Sequence, residues 1–168
     1  MKQYYKKGKG KEEFFNGVIV LDNMQVINPS EDQIKAAGYT EYIHVPTLDE
    51  VRANKLADIT AYDQSEAVNQ FTMQGIPMWL DFEERARLRI SLSAYTDMDK
   101  TDMKKIFDGK EFNFSLDQWK QMLAAIEVYA SEALNVTEMH KLSVNKLESI
   151  EAVERYDYKT GYPEKLIF

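Results

Sequence analysis

The sequence predicts an α+β protein in which a small N-terminal β-rich unit precedes a helical domain with two β-hairpin–helix (ββα) repeats. Short apolar runs separated by turn residues fill the first 45 residues, and helical periodicity begins at Thr47. A turn, strand, cap and helix pattern then occurs twice, over 75–95 and 109–129. We therefore expect two domains, 1–45 and 46–168.

Composition excludes several classes of protein. The chain is 44% hydrophobic and 29% charged, which is enough apolar material for a core in a water-exposed protein. No apolar run approaches the roughly 18 residues that span a bilayer, and the first residues lack the apolar segment of a secretory signal. The absence of cysteine excludes disulfides and thiolate zinc sites. We expect synthesis in the cytoplasm and no membrane partner.

Charge is unevenly distributed along the chain. The net charge is -7, yet the first eleven residues hold five lysines and no acid. The other residues carry 16 basic and 28 acidic groups, a net charge of -12. Such a body repels the phosphate backbone, so nucleic acid is not an expected partner, and the lysine-rich start is interpreted as a solvated terminus.

The N-terminal unit begins with strand-like runs. Glu12–Phe15 and Val18–Leu21 flank Asn16-Gly17, a pair that suits the positive φ angles of a tight hairpin turn. A further strand-like run, Met24–Asn28, follows Asp22-Asn23. The sequence therefore predicts a hairpin centred on Asn16-Gly17.

A short helix and a last extended run complete this unit. Asn28 is the expected N-cap, Pro29 suits the first helical turn, and Gly38 is the expected C-terminal stop. Tyr39–Val45 is expected to be extended, and Pro46 ends it.

The helical domain contains three sequence signatures of a capping box, in which a short polar side chain and a Glu or Gln three residues later satisfy the first amides of a helix. These pairs are Thr47 with Glu50, Asp81 with Glu84, and Ser115 with Gln118. The helix after Ser115 is predicted to be the longest, reaching about Asn145 with a break near Asn135. A short helix is expected near Ile150–Tyr156.

Two hairpins precede the second and third of these helices. One joins Asn69–Met73 to Ile76–Leu80 through Gln74-Gly75, with Pro77 on an edge strand where no amide donor is needed. The other joins Lys105–Phe107 to Glu111–Phe114 through Asp108-Gly109.

An offset of 34 residues superimposes the two ββα patterns. It pairs Gly75 with Gly109, Met78 with Phe112, Leu80 with Phe114, Asp81 with Ser115, Glu84 with Gln118, Leu88 with Met122, Leu92 with Ile126 and Tyr95 with Tyr129. Two copies are too few for a solenoid, so we expect a pseudo-symmetric pair with hairpins on one side and helices on the other.

No residue pattern indicates catalysis, a metal or a cofactor. His44 and His140 lack a second ligand at metal-binding spacing, and both are interpreted as structural. Asp97, Asp99 and Asp102 lack the turn glycine of a calcium loop and are interpreted as a solvated loop. Asp81, Glu83 and Glu84 are explained by helix capping. The chain is therefore expected to have no catalytic, metal or cofactor site.

Aromatic residues are the strongest candidates for binding. Trp79, Phe112, Phe114 and Trp119 are expected in the core, between hairpins and helices. Aromatics near both ends are the candidate interaction surface, because Tyr and Trp are favoured at interfaces and apolar terminal strands must join a sheet in the chain or in a partner. These residues are Tyr4, Tyr5, Phe14, Phe15, Tyr156, Tyr158, Tyr162 and Phe168.

Four segments of the sequence carry distinctive motifs. Two of them are YDQSEAVNQFTMQGIPMWLD (62–81) and WKQMLAAIEVYASEALN (119–135) with the hairpin before it. The other two are ERYDYKTGYPEKLIF (154–168) and the upstream INPSEDQIKAAGYTEYI (27–43). These segments resemble a domain family of unknown function that recurs in phage and prophage tail and tail-fibre-type proteins. The resemblance covers most of residues 24–168, and the family offers no catalytic residues to carry over.

The resemblance implies a structural or interaction role in a phage or prophage tail, without catalytic activity. The implied partners are other tail or baseplate proteins, or a second copy of this chain. Such a protein would be made in the bacterial cytoplasm and become associated with the virion. Two alternatives stay open: a receptor- or glycan-binding tail tip, and a chaperone for tail-fibre assembly.

Overall fold

Helices and short antiparallel hairpins make up the computed structural model, which describes residues 3–8, 11–21, 23–42, 44–107 and 109–168. Small sheets near the N-terminus are followed by a mainly helical region. The predicted α+β class is therefore confirmed. The chain divides into two units, Met1–Pro46 and Thr47–Phe168. Across the described ranges, no helix combines the length and apolarity needed to cross a bilayer.

The first unit contains two small sheets and one helix. Its elements are β1 (Gln3–Gly8), β2 (Lys11–Phe14), β3 (Val18–Leu21), β4 (Met24–Ile27), α1 (Glu31–Ala36) and β5 (Thr40–Tyr42). Strands β2, β1 and β5 form an antiparallel sheet in that order, and β3 pairs with β4. The buried side chains come from both sheets and the helix: Tyr4, Ile19, Ile34 and Tyr39.

The prediction of a hairpin with its turn at Asn16-Gly17 is wrong, because the two strands that flank this turn pair with other strands. Strand β2 pairs with β1, and β3 pairs with β4. Only two residues connect the strands within each pair, so each strand forms its hydrogen bonds with a neighbour in sequence. Asn16-Gly17 is left as the connection between the two hairpins. Gly17 does have a positive φ of 96°, and its carbonyl accepts a bond from the Asn28 amide at 3.0 Å.

The predicted cap of α1 is also wrong. Ser30 is the N-cap and forms a capping box with Gln33. Asn28 has a φ of 53°, whereas an N-cap residue is normally extended. The predicted stop at Gly38 is confirmed, since its φ of 85° ends the helix in the left-handed region.

The second unit contains five helices and two hairpins within its described residues. They are α2 (Leu48–Asp63), α3 (Glu66–Asn69), β6 (Phe71–Met73), β7 (Ile76–Met78), α4 (Phe82–Asp97), β8 (Asp102–Phe107), β9 (Lys110–Ser115), α5 (Leu116–Asn145) and α6 (Ile150–Arg155). The three predicted capping boxes are confirmed. Helix α3 was not predicted, and α5 continues through Asn135 without the expected break.

Both predicted hairpins of this unit are present. Strand β6 pairs with β7, and β8 pairs with β9. Gln74 and Gly75 have φ angles of 51° and 77°, which suit a two-residue hairpin turn. Gly109 has a φ of 74°, while Asp108 lies outside the described residues. Pro77 is on β7, an edge strand, as predicted.

The two ββα segments contribute to one hydrophobic core. The first segment supplies Phe71, Met73, Met78, Leu80, Leu88 and Leu92. The second supplies Met103, Phe112, Leu116, Trp119, Met122, Leu123 and Ile126. Trp119 is 1% exposed, and its indole N–H donates to the Met103 carbonyl at 2.8 Å. The hairpins therefore depend on the helices of both segments for burial.

The C-terminal segment (residues 163–168) adds to the sheet beside β6. Thr72 and Ile167 form a parallel bridge. The Thr72 amide donates to the Leu166 carbonyl at 2.9 Å, and the Phe168 amide donates to the Thr72 carbonyl at 2.8 Å. This end of the chain therefore finds its sheet within the chain, one of the two possibilities that the sequence left open.

Candidate interaction surfaces

The C-terminal aromatics of the candidate surface are half-buried and hold the chain against itself. Tyr156 bonds to the Nδ1 atom of His140 at 2.8 Å, and His140 also reaches the Thr160 carbonyl at 2.9 Å. The Tyr158 ring packs edge-on against Tyr62 at 5.7 Å. These contacts fix the loop after α6 on α5 and give His140 a structural role.

Tyr162 and Phe168 are likewise half-buried within the chain. The Tyr162 hydroxyl lies 3.0 Å from the hydroxyl of Thr137, which donates to Asp63 at 2.7 Å. Burial, the largest cause, raises the pKa of Tyr162 above 10.0, and the nearby Asp63 charge raises it further. The Phe168 ring contacts Phe71 at 5.8 Å. The polar groups of Tyr162, Thr137 and Asp63 are therefore engaged with one another, and the Phe168 ring is in contact with Phe71.

Lys165 and Tyr129 are the first choices for a pair of reactive side chains, but both donate hydrogen bonds to backbone carbonyls of α3. The Lys165 Nζ donates to the carbonyls of Val68 at 2.6 Å and Glu66 at 3.3 Å, at the end of α3. The Tyr129 hydroxyl also donates to the Val68 carbonyl, at 2.6 Å. Burial lowers the pKa of Lys165; burial and then Tyr62 raise the pKa of Tyr129. The pair therefore ties the C-terminal segment and α5 to α3.

The N-terminal aromatics separate onto two faces of the sheet. Tyr4 is buried in the core of its unit, and Phe15 is half-buried against Tyr39. Tyr5 and Phe14 are register partners on the other face. Tyr42 joins them with ring distances of 5.7 Å to Tyr5 and 5.4 Å to Phe14. Phe14 is 50% exposed, so this aromatic trio is open to solvent on one side.

A cleft of about 710 Å³ opens beside these aromatics. Three of the candidate residues line it, together with polar side chains that suit a polar ligand. The lining residues are Gln3, Tyr4, Phe14, Phe15, Asn16, Gly17, Asn28, Glu31 and Ile34. The combination of aromatic rings, amides and a carboxylate is typical of a site that can bind hydroxyl-rich molecules.

The hairpin β3–β4 has an apolar outer face, defined here as Val18, Val20 and Ile27. Val18 is opposite Ile27 in the register, and Val20 follows Val18 by two residues, so all three share one face. The opposite face carries Ile19, which is buried in the core of the unit. Val20 is 62% exposed and Ile27 is 72% exposed. This outer face is therefore the strongest apolar candidate for docking in the first unit.

The expected core position of Trp79 is wrong. Phe112 and Trp119 are buried and Phe114 is half-buried, but Trp79 is 41% exposed. Trp79 follows Pro77 by two residues, so it belongs to the strand face that points away from buried Met78 and Leu80. Leu80 takes the core position of this segment, and Trp79 remains at the surface.

Sequence reasoning missed Val20, Ile27 and Trp79 as exposed apolar residues, and it missed half-buried Tyr42 as a neighbour of Phe14. The sequence of β3 does indicate the exposed face of the hairpin. It reads Val-Ile-Val-Leu and therefore places apolar residues on both faces of the strand. A strand with one solvated face should alternate, so a continuous apolar run in a two-stranded hairpin predicts an uncovered face.

Within the described part of the chain, no three His, Cys, Asp or Glu side chains cluster as a metal ion would need. Asp81 and Glu84 are engaged in their capping box, while Glu83 pairs with Arg87. Asp81, Glu83 and Glu84 therefore have local structural explanations.

No family model, curated protein or solved structure matches this chain. Kinship with the phage tail family consequently stays a proposal that depends on the resemblance of the sequence segments.

Proposed function

We propose that this chain is a non-catalytic interaction protein of a phage or prophage tail, made in the bacterial cytoplasm and incorporated into the virion. It docks onto another tail or baseplate protein through the apolar outer face of the β3–β4 hairpin. The observation that carries docking is the exposure of Val20 and Ile27 on one strand face. The tail setting is supported by the resemblance of the YDQSEAVNQFTMQGIPMWLD segment.

The chemistry of the hairpin face supports a protein partner. Three of the four residues on this face are valine or isoleucine, which form no side-chain hydrogen bonds, and only Gln25 opposite Val20 is polar. The face therefore favours an apolar protein surface over nucleic acid or a sugar. The hairpin has two strands, and each pairs with a described strand on one side only. An uncovered apolar hairpin with open edges gains stability when a partner covers it.

A non-catalytic role is supported by the way the polar side chains are used. Tyr129, Lys165 and His140 bind backbone carbonyls or neighbouring side chains of the same chain. The Thr137 hydroxyl is buried between Asp63 and Tyr162. These groups stabilise the second unit, and their hydrogen-bonding capacity is used within the chain.

The docking proposal is tested by following particle incorporation of surface variants. Full-length chain with Val20→Lys and Ile27→Lys is expressed during induction of the phage that encodes it, and particles are separated by density-gradient centrifugation. The matched control carries Met139→Lys and Leu142→Lys, two exposed positions on α5. We expect the wild-type and control chains in the particle fraction and the hairpin variant in the soluble fraction. Equal incorporation of all three would refute docking through this face.

A second candidate function, binding of a receptor or glycan, is favoured by the cleft beside Phe14. Its rings and amides could stack on and hydrogen-bond to a sugar. Binding of the full chain to a glycan array, lost in Phe14→Ala and retained in Phe82→Ala, would support this function. Phe82 is a suitable control because it is exposed on α4 and lies in the other unit.

A further inference from the structure

The outer edge of the C-terminal segment has unpaired backbone groups. Leu166 and Phe168 direct a carbonyl and an amide towards Thr72 of β6. Because backbone groups of successive residues in a strand alternate in direction, those of Ile167 point to the other edge. The Ile167 amide and carbonyl have no hydrogen-bond partner among the described residues, and its side chain is 80% exposed.

An apolar groove lies between the C-terminal segment and α5, and it is lined by Leu166 and Phe168, the residues on either side of Ile167. Two adjoining cavities of about 400 and 500 Å³ share Ala125 and together form the groove. Gln118, Gln121, Ala125, Val128 and Glu132 line it from α5 at spacings of three and four residues, which is one helical face. Pro163, Glu164, Leu166 and Phe168 line it from the C-terminal segment.

The dimensions of the groove suit an extended peptide. From Gln118 to Glu132 the α5 wall rises about 21 Å at roughly 1.5 Å per residue. An extended chain covers that length in about six residues at roughly 3.3 Å each. Phe114, Met122 and Phe168 offer apolar contacts at one end.

The negative charge at the other end of the groove determines which kind of peptide can bind there. Glu132 and Glu164 both line the groove there, and both are exposed. No ion pair involves either carboxylate within the described part of the chain. A lysine or arginine on the bound peptide would complement this acidic end.

We propose that this groove, formed by α5 and the C-terminal segment, binds a strand of about six residues from a partner protein. The backbone of that strand pairs with Ile167, its alternate side chains are apolar and fill the groove, and a basic residue faces Glu132 and Glu164. A strand is the occupant because only an extended backbone can satisfy the amide and carbonyl of an open sheet edge. The proposal is independent of docking through the β3–β4 hairpin.

The first experiment measures binding of a defined probe to the full-length chain. The probe is a fluorescein-labelled hexapeptide that alternates lysine and valine; a glutamate–valine hexapeptide is the charge-reversed control. Fluorescence anisotropy should show saturable binding of the lysine peptide and at least about tenfold weaker binding of the glutamate peptide. In amide NMR spectra, the shifts caused by the probe should centre on Ile167 and the groove face of α5. No saturable binding of the lysine peptide at millimolar concentration would overturn the proposal.

Two pairs of variants identify the mode of binding. Ile167→Pro removes the outward amide and keeps the two bonds to Thr72, whereas Ile167→Val keeps the amide. The proline variant should bind the probe about tenfold more weakly, and the valine variant should bind like wild type. Ala125→Trp, which fills the groove, should also lose binding, while Ala94→Trp on the exposed face of α4 should not. Unchanged binding in both Ile167→Pro and Ala125→Trp would overturn the proposal.

Self-association provides a further test of the occupant. Analytical ultracentrifugation of the full chain should show no concentration-dependent dimer that Ala125→Trp abolishes. If such a dimer forms, a second copy of this chain occupies the groove, and the assignment to a partner protein is wrong.

Discussion

The two tryptophans of the chain provide a matched pair that tests the packing of the second unit. Trp119 is 1% exposed and its indole N–H is bonded to the Met103 carbonyl, whereas Trp79 is 41% exposed. Both lie in the second unit, close to the start of a helix. Replacing each with alanine therefore removes the same side chain from two different environments.

The expected magnitudes follow from burial. Truncation of a fully buried tryptophan costs about 3–5 kcal/mol, and the loss of the bond to Met103 places Trp119→Ala in the upper part of that range. Trp79→Ala should cost about 1 kcal/mol, since a large part of its surface is already hydrated. For a unit of this size, 1 kcal/mol corresponds to roughly 4 °C in Tm. We therefore expect Trp119→Ala to lower Tm by about 16–20 °C and Trp79→Ala by about 4 °C.

Thermal unfolding followed by far-UV circular dichroism measures this difference, because most of the helices belong to the second unit. Fluorescence supplies an independent check: the single tryptophan left in Trp79→Ala should emit at shorter wavelength than the one left in Trp119→Ala. Equal Tm losses in the two variants, or the reverse order, would refute the burial argument and the assigned packing of the hairpins.

Three further predictions concern caps, alkaline pH and the histidine of α5. Asp81→Ala and Ser115→Ala should each lower the free energy of unfolding by about 1 kcal/mol, measured by urea titration, whereas exposed Ser93→Ala should change it by less than about 0.5 kcal/mol. Burial raises the pKa of Tyr129 above 10.0, so the contribution of its protonated hydroxyl to stability is fully present below pH 10 and is lost as pH rises through the raised value. The free energy of unfolding should therefore fall less steeply at alkaline pH in Tyr129→Phe than in the wild type, as measured by urea titrations at increasing pH. His140→Ala removes two hydrogen bonds and should destabilise the second unit by about 1–3 kcal/mol; a smaller loss of Tm than in Ser93→Ala would contradict its structural role.

Helix starts could be predicted from sequence because their signals are local. The capping boxes at Thr47, Asp81 and Ser115 each require two residues three positions apart, and all three are present. The hairpin at Gln74-Gly75 is also local, since its turn demands positive φ at both positions.

Strand pairing in the first unit could not be predicted in the same way. Asn16-Gly17 has the strongest local turn preference, but the pairing depends on which neighbouring strand each run can reach. Two-residue connections on both sides of Asn16-Gly17 allow β2 to pair with β1 and β3 with β4. Which of several suitable turns forms a hairpin is therefore decided by tertiary packing, and not by which turn has the strongest local preference.

Burial of aromatic residues also depended on contacts distant in sequence. Tyr95 and Tyr129 are equivalent under the 34-residue offset, yet Tyr95 is exposed and Tyr129 is buried. Tyr129 packs beside Val68 of α3 and the C-terminal segment, which cover this part of α5. Phe168 packs against Phe71 and Tyr162 packs against Tyr62, so the candidate surface shifts towards Phe14, Tyr42 and the β3–β4 hairpin.

The most direct test of the central claim is quantitative mass spectrometry of phage particles purified from an induced culture of the host that encodes this chain. We expect the chain in the particle at a fixed ratio to a known tail protein. A chain that is abundant in the lysate and missing from the particle would contradict a structural role and favour a transient assembly chaperone.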